Sequence, residues 1–291
     1  MDGIIESVSA SKNSPGVALA PLTPRGVAAY AYASNGRLWL VQIVVSLIAA
    51  ATVVWFLKTN WFPVVRDMFR QLPVGGEVRN QQLQWRGRSP LQLAESSFLA
   101  LAVNLEDHVA VGGVADVQIE FRRTQLQCCS LLGCFPINYP KDWIIAVDRS
   151  NLEPWWGAWE VPILAGVLIA TVLALLLNWT VLAALYFPVI YFVGYLRDRE
   201  LTWGGSWRMA GAGLMPGALF FTLGILLYGL EALNLIHLGI IFLLHLVIGW
   251  VYLVLSPLFL RRWQALPSLP RNPFAPTPEP AADPKLNPPG N

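Results

Sequence analysis

Hydrophobic and polar positions divide the chain into stretches of distinct character. Residues 1–37 mix Ser, Pro, Gly and Ala with few charges and no helical period, as expected of a loosely ordered tail. Residues 38–57 are then 20 uncharged, mostly apolar positions between Arg37 and Lys58. That is about the length of one membrane crossing and longer than a secretory apolar core of about 7–15 residues. The segment reads as an uncleaved anchor helix, with cleavage near Ala49, Ala50 and Ala51 as the alternative.

From 58 to 156 the pattern becomes that of a soluble module. Val117, Ile119 and Phe121 alternate with Gln118, Glu120 and Arg122, and Trp143, Ile145 and Val147 repeat the period of two, so both read as half-buried strands. Leu99, Leu101, Val103 and Leu105 predict another strand over 97–105, residues 78–85 a weaker one, and Gly112-Gly113 a turn. Four or five strands in fewer than 100 residues make a small β-rich domain whose core is marginal alone. Residues 60–70 set Trp61, Phe62, Val65 and Phe69 against Arg66, Asp67 and Arg70. This amphipathic helix either lies along a membrane interface or covers one face of the strands.

The helical half, 157–262, is entered through Trp155, Trp156 and Trp159, a cluster suited to the headgroup level. Residues 161–196 follow as 36 positions without a charge, too long for one ordinary span and tight for two. A full turn at Asn178 would give segments of 17 and 18 residues, 161–177 and 179–196. Alternatively only 161–177 crosses, and 180–196 returns as a re-entrant or interfacial helix bent at Pro188. Two more spans, 209–230 and 236–260, form a hairpin with its tip near Glu231. Residues 263–291 carry nine prolines and read as an extended, disordered tail. The expected fold is an α-helical transmembrane bundle of four or five apolar helices with an inserted β-rich domain.

Composition agrees with a bilayer as solvent: 55% hydrophobic residues, 13% charged and a mean hydropathy of +0.50. A net charge of +2 gives no nucleic-acid surface. Arg197, Arg199 and Arg208 flank one end of the hairpin and Arg261 and Arg262 the other, so the positive-inside rule assigns both to the cytoplasm. The side of the insert then depends on how often 161–196 crosses. An odd number places it outside, the arrangement favoured here, in a bacterial inner membrane with a cytoplasmic C-terminus.

Candidate chemistry is sparse. Cys134 pairs with Cys128 or Cys129 if the insert is extracytoplasmic; otherwise all three pack as buried thiols. His108 is the insert's one histidine, so no metal set forms, and neither a cofactor motif nor a nucleophile-base constellation appears. Ionisable or amide groups inside a bilayer are functional hypotheses by default. Glu160 reads as a boundary carboxylate, while His245 reads either as a proton relay or ligand or as a ring bonded to a neighbouring helix. Asn178 is the third polar candidate. Gly213 and Gly217 have small-xxx-small spacing around Pro216, giving either a discontinuous helix lining a site or close packing against 161–196.

Leu72-Pro73, Gln81-Gln82-Leu83 and Ser206-Trp207-Arg208-Met209-Ala210 leading to Pro216 resemble a bacterial integral membrane family of unknown function that includes a maltodextrin-utilisation-associated membrane protein. By layout the resemblance runs over 38–260. It implies a plasma-membrane protein with an external β-rich module. The expected function is a non-enzymatic envelope protein, embedded in the lipid bilayer, whose external module binds an envelope protein or small ligand. A small transporter or transport accessory is the alternative.

Overall fold

The structure is a computed structural model and describes residues 21–106 and 114–262. The Pro-rich segment 263–291, residues 1–20, His108 and the Gly112-Gly113 turn lie outside the described residues.

Among the described residues four helices are long and apolar enough to cross a membrane: Asn35–Gln71, Arg149–Leu196, Trp203–Gly229 and Leu235–Phe259. The lower of the two expected helix counts is therefore observed. The first comprises α2 (Asn35–Phe56), a wide π turn at Leu57–Trp61 and α3 (Phe62–Gln71). A short α1 (Pro24–Ala29) precedes them. Side-chain caps start the helices where the sequence supplies them: Ser34 for α2, Asp148 for α4 (Arg149–Leu196), Thr202 for α5 (Trp203–Gly213) and Asn234 for α7 (Leu235–Leu255).

The long uncharged run corrects the sequence expectation. The helix α4 runs 48 residues through Asn178 and Pro188 without a turn, so it neither folds back at Asn178 nor re-enters after Pro188. Neighbouring helices and local adjustment accommodate proline in such helices, and one polar amide does not end a helix whose flanks are all apolar. At about 1.5 Å per residue its ends stand about 72 Å apart.

Two further expectations change. Residues 21–34, expected to be loose, fold as α1 and a 3-10 turn with Val27, Ala28, Tyr30 and Ala31 buried. Arg208 holds this segment by donating to the Tyr30 and Ala31 carbonyls at 3.3 and 2.8 Å, and Tyr252 Oη donates to Leu22 O at 2.7 Å. The expected span 209–230 is two helices, α5 and α6 (Met215–Gly229), with the break at Leu214 and Pro216 in the first turn of α6.

Among its described residues the insert holds eight strands rather than four or five. The strands β1 (Glu77–Arg79), β2 (Gln82–Gln84) and β8 (Ile145–Ala146) form one antiparallel sheet in the order β2-β1-β8. The larger sheet is β3 (Leu91–Glu95), β4 (Leu99–Val103), β5 (Val117–Phe121), β6 (Gln125–Ser130) and β7 (Gly133–Asn138), in that order, with β4 and β5 parallel. Gln81, inside the single weak strand expected over 78–85, is instead a turn residue at φ 62°, following Asn80 at φ 51° in the two-residue β1–β2 hairpin. The strand β4 is buried on both faces. Helix α3 packs against β3 and β4, burying Val64, Met68 and Phe69, so of the two readings of this amphipathic helix the cover over the strands holds.

The module stands on one end of the helices. Phe56, Phe98 and Tyr228 form a ring cluster with centroids 4.9–5.5 Å apart, joining α2, the β4 approach and α6. Each such pair contributes about 0.5–1.5 kcal/mol beyond area burial. Tyr228 Oη donates to Asp116 Oδ2 at 2.7 Å, Ser97 Oγ to Glu231 Oε1 at 3.1 Å and Asn60 Nδ2 to Gly229 O at 3.2 Å. At the opposite end lie Arg25, Arg37, Arg197, Arg199, Arg208, Arg261 and Arg262, where Arg199 donates to Leu260 O at 2.6 Å and pairs with Arg262 as an isolated bridge.

Helices α6 and α7 touch backbone to backbone: a Cβ on Gly217 would stand 2.5 Å from the His245 carbonyl oxygen, whereas one on Gly239 would meet nothing within 4 Å. Gly217→Val should therefore lower stability by about 1–3 kcal/mol, read as thermal unfolding in detergent. Gly239→Ala should leave it unchanged or slightly raised. The Asp148 carboxyl is held below the usual carboxylate range by the Asn151 backbone N–H, then by Ser150 and Asn151 side chains. A lowered value means that the cap's contribution is complete above the unfolded value of about 3.9 and is lost as pH falls through the folded one. Asp148→Asn keeps a cap without the titration, so amide exchange at Asn151 should lose its acid dependence in that window.

Candidate functional site: a polar cavity midway along the helices

A cavity of about 240 Å³ lies between α2, α4, α6 and α7. It collects polar groups that are far apart in sequence: Asn178 on α4, Thr222 on α6 and His245 on α7, beside Trp179 and Trp250. Each lies near the middle of its apolar stretch. His245 is the eleventh residue of α7, about 15 Å along it, which is half the depth of a hydrocarbon core about 30 Å thick. Ala49, Val53 and Leu175 supply apolar wall, and no charged side chain lines the space.

The His245 ring bonds through Nδ1 to the Phe242 carbonyl of its own helix, not to a neighbouring one as one sequence reading had it. A carbonyl only accepts, so Nδ1 carries the proton and Nε2 is left as an acceptor. The ring is stacked at 5.2 Å on Phe221 of α6. Thr222 Oγ1 donates to Ala218 O at 2.8 Å, which satisfies its proton and leaves its oxygen free to accept. The Asn178 amide makes no hydrogen bond among the described residues. Trp250 and Leu246 are both lining residues and exposed, so the cavity opens sideways between helices rather than along their axis.

The helix break supports this space from one side. Leu214, at the junction of α5 and α6, is a lining residue, and Pro216 starts the second segment. Gly213 and Gly217 do not pack against α4 as expected. Added Cβ atoms there would meet Leu253 at 2.9 Å and the His245 carbonyl, both on α7 or its end. The small residues thus draw α6 onto α7 and set His245 beside the cavity.

Glu160 is elsewhere and structural. It pairs with Arg66 of α3, tying the covering helix to α4 where Phe62 and Phe69 pack on Trp156 at 4.8 and 5.7 Å. The cysteines lie in the β6–β7 hairpin, with Cys129 bonded to Cys134 (S–S 2.04 Å) and Cys128 a half-buried thiol. Among the described residues no group of three His, Cys, Asp or Glu side chains could hold a metal ion.

Sequence reasoning found Asn178 and His245 but neither their proximity nor Thr222, Trp179 and Trp250. Trp179 carried a usable signal, since tryptophan prefers the interface and here stands in the middle of an uncharged run. Comparison of the chain with protein-family models, curated proteins and solved structures returned no match.

An amide without a partner in an apolar cavity destabilises the helices that carry it. In protein stripped of lipid, Asn178→Leu should therefore raise thermal stability by about 1 kcal/mol, measured by unfolding in detergent.

Proposed function

We propose that the chain is a multi-pass, non-enzymatic membrane protein that binds an uncharged amphiphile in the cavity between its four spans. The observation carrying this reading is the convergence of Asn178, Thr222 and His245 on one laterally open space. Thr222 is buried and His245 half-buried, while Asn178 is exposed at the open side of the space; polar groups in hydrocarbon need partners, and no water supplies them there. A ligand hydroxyl would accept from the Asn178 amide nitrogen and donate to His245 Nε2, while its chain lies along Leu175 and Phe221. The absence of charge in the lining favours a neutral head over a phosphate.

The arginine-rich end would face the cytoplasm and the β module the exterior, because α4 crosses once and the basic residues gather at its C-terminal end. The resemblance to the bacterial membrane family implies the same arrangement. The envelope partner expected for the module would then bind a platform mounted rigidly on the ligand-holding helices through Tyr228 and Glu231. A transporter reading is less well supported, since the backbone contact at Gly217 and His245 makes α6 and α7 a fixed pair.

Extraction of the purified full chain followed by mass spectrometry of its lipids tests the proposal. A neutral lipid should copurify in near-stoichiometric amount, and Asn178→Leu and His245→Leu should each deplete it about tenfold while the protein remains folded, the loss of roughly one good hydrogen bond in a desolvated site. Equal lipid content in wild type and both variants would refute it.

A further inference from the structure

The β6–β7 hairpin presents apolar groups where a soluble domain would place polar ones. Residues 124–140 are 17 consecutive positions without a charged side chain, inside a module otherwise rich in charges. The turn residues Leu131 and Leu132 are 65% and 85% exposed, and Phe135 and Ile137 on β7 are 59% and 56% exposed. The Cys129–Cys134 bond joins the second pair of the hairpin, next to the Ser130–Gly133 pair that closes its Leu131-Leu132 turn. Gly133, at φ 110°, completes the turn.

Position distinguishes the possible occupants. Cys129, Ser130 and Leu131 share a cleft with Asn234, Leu235 and Ile236, so the tip reaches the first turn of α7. Ile236 is itself 59% exposed at the start of an apolar helix. The tip therefore lies at the level where that helix enters hydrocarbon. Strand addition by a peptide is disfavoured at this edge. Cys129 and Cys134 stand 4.0 Å apart at Cα, the spacing of a pair without mutual backbone bonds, so Gln127 and Pro136, two residues along, form another such pair. The backbone nitrogen of Pro136 thus faces the free edge and carries no proton to donate.

We infer that the disulfide-closed hairpin is a second membrane contact, with Leu131 and Leu132 inserted at the boundary between headgroups and acyl chains of the leaflet from which α7 starts. The occupant of the apolar tip is lipid. An uncharged, laterally placed apolar loop is the chemistry of interfacial insertion, here attached to a β module instead of an amphipathic helix. The contact would fix the module's tilt from the side opposite α3 and α4. This inference rests on the membrane placement of the helices proposed above, though not on the ligand.

The test uses the full chain in phospholipid nanodiscs, with Cys128→Ser as background and an environment-sensitive fluorophore on Leu132→Cys, the Cys129–Cys134 bond being verified by mass spectrometry. A second label on Ile240→Cys reports α7. Blue-shifted emission at 132, quenched at least about twofold by a nitroxide high on the lipid chain and little by aqueous iodide, is the expected result. Iodide quenching at 132 with lipid quenching at 240 would overturn the hairpin contact alone. Blue-shifted emission at 132 that no lipid nitroxide quenches would assign the tip to a protein surface and overturn it equally. Loss of lipid quenching at both positions would remove the membrane placement itself.

Discussion

A helix that continues from Arg149 to Leu196, its backbone bonding missing only the donors that Pro154, Pro162 and Pro188 lack, is the constraint on which the remaining arrangement rests. A helix cannot turn back without leaving carbonyls and amides unpaired, and in an apolar surrounding each such group costs several kcal/mol. A stretch of 48 residues is about 72 Å long, more than twice the roughly 30 Å of a hydrocarbon core. Its excess length would extend beyond both faces of such a core. At one end Trp156 and Glu160 join the module through Phe62, Phe69 and Arg66; at the other, Arg197 and Arg199 join the basic cluster.

The two ends are held by different chemistry. At the module end, aromatic rings and neutral-to-charged hydrogen bonds connect Phe98, Asp116 and Ser97 to the tip of the α6–α7 hairpin. At the basic end, arginine side chains and tyrosine hydroxyls donate to backbone carbonyls that the short helices and turns leave without partners, as Arg208, Arg199 and Tyr252 do. Between them the helices approach through glycine, and the cavity remains where Ala49, Ala218 and Gly249 leave space beside larger neighbours. A ligand there would touch α2, α4, α6 and α7 together, and α2 and α6 lead directly to the ring cluster under the module.

Much of this was readable from residues alone, and the failures have physical causes. Val117, Ile119 and Phe121 announced β5 because one face is packed and the other is not. Strands β6 and β7 gave no such alternation: Cys128 and Cys129 are adjacent, Pro136 interrupts, and β7 is exposed throughout. Asn178 and Pro188 look like breakers in a sequence, yet in a long apolar helix neither supplies enough to reverse the chain. Residues 21–34 passed for a tail because their buried groups are mostly small and their anchoring partners lie about 170 to 230 positions away, at Arg208 and Tyr252. The cavity was half visible: its polar members stood out singly, while their meeting depends on which helix faces pack.

A single crossing by α4 would leave the β module and the arginine-rich end on opposite sides of a membrane. Single cysteines at Val74, exposed on the module, and at Asp198, beyond the end of α4, can be labelled with a membrane-impermeant thiol reagent in sealed vesicles of known orientation. One should be modified from outside in intact vesicles and the other only after permeabilisation. Modification of both from the same side would contradict it.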